Sequence, residues 1–380
     1  MKPIYFNIPA PLLIVMDDVG WWSGEDSHLS NEPFRTGISR NHCVNDYTAI
    51  AELAKMTGTR IQAGFVLCEW DRENILRNVP SSTWMGGDWD NSKHQGPWLD
   101  EAADVIIKNR PHIEIALHAI GHEYWKHPGP FSRAEWADMD GVMRPASDIV
   151  AHTEAFRKIM EQNSLGDFPT SFVPSAFKHC FGAEENGITP ILKSYGINFI
   201  SNPFDATVWE KAPEDPAFGI DGGIPFVNRG RGLISWKVID ASPEGIYWDG
   251  PICGLHWPNI LNPVPEENSL TVECWADYLN KNYVRSKDRV MAKDSIDCWT
   301  QLLCSKKLPI SLTDSAAVLD FSKLNAGRYP YLGKTFRIKT DFEISLPLNP
   351  SVLSVKKHGL LLFEYEIGIG SELENLTIRF

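Results

Sequence analysis

The run Pro11-Leu-Leu-Ile-Val-Met16 is apolar at every position and stops at two adjacent carboxylates, Asp17 and Asp18. A strand with one wet face alternates apolar and polar residues, whereas a run without alternation suits a strand buried on both faces, as in a helix-covered parallel sheet. The same pattern recurs twice. Ile113 to Leu117 runs straight into His118-Ala-Ile-Gly-His122, and Ile252 to Leu255 meets His256-Trp257. Each strand-like run thus delivers titratable side chains at its carboxyl end.

Helix-like and strand-like stretches alternate between these runs. Asn45-Asp46 can cap a helix carrying Ile50, Leu53, Ala54 and Met56 on one side, with Gly58 as its stop. Arg60 to Cys68 reads as a strand, residues 69–98 as a long loop, Trp98 to Lys108 as a helix, and Ser147-Asp148 as the cap of another. A short strand at Ser171 to Val173, a helix from Thr189 to Tyr195, and strands at Ile197 to Ile200 and Ile234 to Ile239 continue the rhythm. This describes an α/β fold, a parallel (β/α) barrel whose loops at the strand carboxyl ends build the site. With 380 residues, 43% of them hydrophobic, the chain can bury one large core and a smaller second unit. After Asn262 the pattern changes to helices at Thr271 to Val284 and Ser295 to Cys304, then to strand-rich stretches from Phe336 onward. We expect a barrel with packed helices over residues 1–310 and a small C-terminal β appendage over 311–380.

The formal charge of -13 repels nucleic acid and anionic lipid, and no basic patch is visible: Lys306-Lys307 and Lys356-Lys357 read as isolated, solvated pairs. Neither a nucleic-acid nor a membrane partner is expected, and the sequence leaves homo-oligomerisation open. No apolar run approaches the ~18 residues of a membrane-spanning helix. The seven cysteines contain no C-x-x-C pair, which argues against a disulfide framework or zinc ribbon. Reduced cysteines and the early first strand suit a cytoplasmic protein, unless a signal has been removed.

Asp17 and Asp18 would repel each other unless each had its own partner, and a cation can serve as one of them. His118 and His122 stand at i, i+4, a spacing that lets two imidazoles converge on one ion; satisfied core histidines would show the same spacing. There is no nucleotide-binding glycine fingerprint around Gly219 to Gly223 and no G-x-S-x-G elbow.

Met16-Asp17-Asp18 resembles the first motif of the polysaccharide deacetylases, the family 4 carbohydrate esterases and their relatives, in which a strand ends in two aspartates. His118-Ala-Ile-Gly-His122 is similar to the second motif, and Leu255-His256 to the fifth, a leucine-histidine pair after a late strand. The motifs stand in the family's order over about residues 11–260. The resemblance implies a distorted barrel of that family's type and hydrolytic removal of an acetyl or other acyl group from a carbohydrate. Asp17 would be the general base and His256 the general acid. Asp18, His118 and His122 would hold one divalent metal, zinc before cobalt or nickel.

Two departures mark a remote branch. The third motif carries an arginine shortly before a proline, but Phe172-Val-Pro174-Ser-Ala-Phe177 has none. Arg229 and Arg231 are candidates to supply that charge from elsewhere, although two arginines around a glycine also describe a surface turn. The aspartate-tryptophan motif that orients the acid histidine is not recognisable. Fourteen tryptophans favour a saccharide ligand, since indole faces stack on sugar rings. Trp21, Trp22 and Trp257, with Pro174, are the substrate-binding candidates; His94, His127, His179, Glu123 and Asp205 are weaker ones. The alternatives are a glycosidase on a similar barrel and a non-catalytic carbohydrate-binding relative.

Overall fold

The structure, a computed structural model, describes residues 5–25, 33–126, 132–183, 186–324, 327–345, 349–370 and 374–380. His127 lies outside the described residues. Contacts divide the chain into two units, one of residues 14–276 and one of residues 1–13 with 277–380.

The chain opens with β1 (Phe6–Asn7) and β2 (Ala10–Val19), followed by α1 (Val44–Thr57), β3 (Ile61–Val66), α2 (Trp98–Lys108), β4 (Ile113–Ala119) and α3 (Ala146–Gln162). Next come β5 (Ser171–Phe172), β6 (Cys180–Phe181), α4 (Thr189–Ser194), β7 (Phe199–Asn202), β8 (Val208–Trp209), β9 (Phe218–Asp221), β10 (Ile224–Asn228), β11 (Ile252–His256) and α5 (Asn268–Leu279). Local sequence explains the boundaries of α1. The Asp46 carboxylate accepts the Cys43 N–H at 3.1 Å, and Gly58 ends the helix at φ 69°, a left-handed conformation that costs glycine little.

The main sheet of the first unit has the order β11-β2-β3-β4-β5-β7-β10-β9. The pairings from β2 through β10 are parallel, and β9 is antiparallel to β10. The residues of β3 and β4 are buried throughout, as a strand covered on both faces requires. Five strand steps separate β2 from β10, about 24 Å in a flat sheet at ~4.8 Å per step. Yet Arg229, one residue past β10, bonds Asp17 at 2.7 Å, so the sheet curls until its strand ends face one another. Of the expected distorted parallel barrel, the structure shows the curled, largely parallel sheet and not its closure. Among the described residues the order is open, with β11 at one edge and β9 at the other.

Differences from the sequence reading include one absent strand and one added hairpin. Ile234–Ile239 is not a strand, because its carbonyls serve side chains instead of a ladder: Ile234 O takes His256, and Ser235 O and Val238 O take the Asn259 amide. The hairpin β9-β10 was absent from the expectation. Its turn is Gly222-Gly223, at φ 54° and 83°, the two successive positive values that a tight hairpin demands.

The second unit contains β12 (Arg289–Met291), α6 (Ser295–Lys307), β13 (Ile310–Leu312), β14 (Ala316–Asp320), β15 (Thr335–Thr340), β16 (Val352–Lys357), β17 (Phe363–Gly368) and β18 (Asn375–Arg379). Its sheets are β1-β15-β17-β16 and β13-β14-β18, both antiparallel. This unit is larger than the appendage expected from residue 311. β12 pairs with Ala10–Leu12, β1 pairs with β15, and the Gln301 amide on α6 bonds Pro9 O at 2.8 Å and Arg337 O at 3.0 Å. These bonds tie the first residues and α6 to the C-terminal strands. No helix among the described residues is long and apolar enough to cross a membrane.

Candidate metal centre

Two β-bulges aim the central side chains. β2 carries one extra residue against β3 between Met16 and Val19, and β4 carries one at His118, between the pairs Phe65↔Leu117 and Val66↔Ala119. A bulge bends its strand and redirects a side chain. Asp18 takes φ 63° and His122 φ 68°, conformations that cost energy in non-glycine residues and cluster at functional sites. Gly64, on the strand between them, clears space for the imidazole: a Cβ there would lie 3.2 Å from His118 Cβ and Cγ.

The result gathers three donors. Asp18 Oδ1 lies 3.3 Å from His118 Nε2 and 3.6 Å from His122 Nε2, and the three residues are buried. Donor atoms around a tetrahedral zinc at 2.0–2.1 Å stand about 3.3 Å apart, close to these separations. Tautomers agree with that use. His118 Nδ1 lies 2.8 Å from Val173 O, which can only accept, so Nδ1 carries the proton, and in the neutral ring Nε2 turns a lone pair inward. Asp18 Oδ1 and His118 Nε2 are both buried without a hydrogen-bond partner among the described residues. Two facing acceptors of this kind fit a cation better than they fit each other.

Burial disfavours the charged form of Asp18, but His122, His118 and His256 outweigh it and hold the carboxyl far below its usual range. His118 is pulled down by burial and, on balance, raised by Asp18 beside it. Burial dominates at His122 and takes it down to about 3, so its ring is neutral and able to ligate.

Asp17 points to a different partner. Arg229 grips it in a fork, Nη1 to Oδ2 at 2.7 Å and Nη2 to Oδ1 at 3.1 Å, with both side chains buried. Arg229, one residue past β10, thus stands against Asp17, while the Phe172–Phe177 segment offers no arginine. His256 stands on the other side, its Nε2 4.0 Å from Asp18 Oδ2 and its Nδ1 2.7 Å from Ile234 O. A backbone carbonyl orients this ring.

The aromatic candidates fare differently. Trp257 is fully buried, stacked on His42 at 4.0 Å and against Tyr47 at 4.8 Å, so it offers no face to a sugar. Trp21 is 1% exposed with the Arg35 guanidinium over its ring. Pro174 is also buried; its segment contributes by holding His118 through Val173 O. Trp22 alone of the three tryptophans is partly open, with one face stacked on Trp98 at 4.6 Å.

Among the weaker candidates, His94 is tied to Asn91 and Glu69, His179 to Asp221, and Asp205 is exposed. Glu123 is buried 3.6 Å from His122 Nδ1, and burial pushes its carboxyl well up. Sequence reasoning missed Glu135, which accepts the N–H groups of Ile120 and Gly121 at 3.0 and 3.2 Å and pairs with His152 at 2.9 Å. It braces the turn between His118 and His122, and no motif marks a lone loop glutamate for that task.

No family model matches the chain, and no curated protein matches it. Among solved structures it is similar to a GH57-type branching enzyme from Pyrococcus horikoshii, at 14% identity and TM-score 0.32, covering 58% of this chain and 46% of that one. A GH57 branching enzyme from Thermococcus kodakaraensis, in complex with glucose, matches at 12% identity and TM-score 0.32, covering 58% and 48%. This chain thus spans about half the length of either. Likenesses of this extent carry no functional argument, which rests on the residues of the site.

Proposed function

We propose that the protein is a carbohydrate-active hydrolase and that it removes an acyl group from an amino sugar or related saccharide. The observation that carries this reading is the buried Asp18-His118-His122 donor set beside a second, separately held carboxylate. A divalent cation bound there would polarise the acyl carbonyl and make a water more acidic.

The chain's own groups supply the rest. Asp17 accepts the proton of the attacking water, and the Arg229 fork holds that carboxylate in a fixed orientation. Each carboxylate oxygen retains a lone pair beyond its guanidinium bond. At His256 the Nδ1 proton is committed to Ile234 O, which cannot take a proton itself, so gain and loss occur at Nε2, the nitrogen facing Asp18. That nitrogen is the one that protonates the leaving group. Trp22 offers the remaining apolar face for a sugar ring.

A glycosidase is the second reading, favoured by Glu123 and Asp18 standing on opposite nitrogens of the His122 ring, each at 3.6 Å. One assay separates the two. Purified protein loaded with zinc, given acetylated chito-oligosaccharides and α-glucans, should release acetate and create no new reducing ends. New reducing ends without acetate would support the glycosidase instead, and neither product on any substrate would overturn catalysis.

A further inference from the structure

The second unit gathers cations that are far apart in sequence. Lys281 and Arg285, at the segment following α5, and Lys356 and Lys357, at the end of β16, line one groove of about 860 Å³. None of the four makes an ion pair among the described residues, although Asp277 also lines the groove. The sequence reading of Lys356-Lys357 as an isolated pair is thereby revised.

β16 is an edge strand, paired on one side with β17. Lysines alone on such an edge would read as guards against pairing with another chain. The neighbouring side chains are the opposite of guards: Leu353 and Val355 on the strand are exposed, and Leu360 and Leu361, just past the groove's last residue Gly359, are 87% and 67% exposed. Cations without ion pairs among the described residues, Lys357 also lying 5.2 Å over the Phe363 ring, stand beside protruding leucines and form an amphipathic surface. Phosphate or carboxylate headgroups suit the first, and the headgroup–acyl boundary suits the second.

We propose that this face docks the protein on an anionic lipid surface, with Lys281, Arg285, Lys356 and Lys357 at the headgroups and Leu360-Leu361 inserted between them. The net charge of -13 repels such a surface elsewhere, so the docking is oriented by the groove. The proposal stands apart from the metal centre, and its test needs no turnover.

The experiment is flotation of the full chain with vesicles of phosphatidylcholine alone or mixed with phosphatidylserine. Binding should require phosphatidylserine and weaken as salt is raised. Lys356→Gln with Lys357→Gln should reduce it by roughly tenfold or more, and Leu360→Ser with Leu361→Ser should reduce it without altering the salt dependence. Both pairs are exposed, and unchanged circular dichroism and melting would verify their folds. Equal binding to both vesicle types, or no loss in either double variant, overturns the proposal. So does a homodimer in sedimentation that the leucine variant dissociates, because the face would then be a self-interface. Binding of a soluble polyanion that depends on the lysines but not the leucines would overturn it as well.

Discussion

Each unit buries a charged cluster, and the two are built in opposite ways. In the second unit Lys339 is fully buried, and its ammonium donates to Val284 O, Ser286 O and Arg289 O at 2.8 to 2.9 Å, with Glu364 at 3.3 Å and His358 closing on that carboxylate at 3.1 Å. An ammonium has three donors, and here all three are placed. In the first unit Asp18 Oδ1 faces two imidazole nitrogens without a hydrogen bond, and Asp18 and His122 hold positive φ. A completed network serves the fold. One left open at its centre, on strained backbone, is the arrangement that the proposed metal site calls for.

The largest effect should come from the open cluster. Asn tolerates positive φ, so Asp18→Asn keeps the backbone while removing the anionic donor. Zinc affinity, measured by competition with a chelator, should fall by more than the ~10–100-fold typical of outer-shell changes, and turnover should vanish. The melting temperature of the metal-free protein should fall only modestly, since the lost carboxylate is replaced by an amide that can donate to a facing imidazole nitrogen. A metal-free Asp18→Asn that melts far below wild type would erase the contrast between the clusters.

Arg229 tests the boundary between the two kinds. Arg229→Met strands a buried Asp17 carboxylate and should cost about 3–5 kcal/mol of stability by denaturant titration. Zinc content should persist while acyl release falls, and Arg229→Lys should recover charge but not the forked geometry. Loss of zinc alongside activity would mean that Asp17 and Asp18 act as one group.

The completed cluster should announce itself through acid. Burial opposes ionisation of Glu364, but His358 and Lys339 pull its carboxyl down from 4.5 to about 2. Its folded value lies below the unfolded one, so its contribution is fully present above about pH 4.5 and disappears as pH falls toward 2. Stability across that window should drop less steeply in Glu364→Gln than in wild type. Equal slopes would show that the lysine cluster is not satisfied in solution.

The strand ends were legible because burial on two faces leaves an unbroken apolar run, and the polar residue that stops it is conspicuous. Asp18, His118 and His122 were readable for that reason, and α2 because its apolar stripe is regular. The bulges that turn Asp18 and His118 toward each other leave no trace in composition, since they are a property of register between strands. Arg229 was visible only as a candidate: nothing local says that five strand steps of curl will bring β10 back to Asp17. Trp21 and Trp257 misled because proximity in sequence to a site residue says nothing about which way an indole points, and both point into the core.

The smallest effect should separate that misreading from what remains of it. Trp22 follows β2 by three residues, and the Glu69 carboxylate fixes its backbone by accepting the N–H groups of Trp22 at 2.6 Å and Ser23 at 3.0 Å. Its ring has one face on Trp98 and is partly open, so it can stack on a sugar from one side only. One such contact is worth about 1 kcal/mol, which corresponds to roughly a fivefold rise in KM for Trp22→Ala with little change in kcat. Trp22→Phe should recover most of that. Trp257→Ala should instead lower the melting temperature, because it empties a packed site between His42 and Tyr47, and in folded protein it should leave KM nearly unchanged. The reverse pattern, a KM effect at Trp257 and none at Trp22, would move the sugar to a different side of the metal centre.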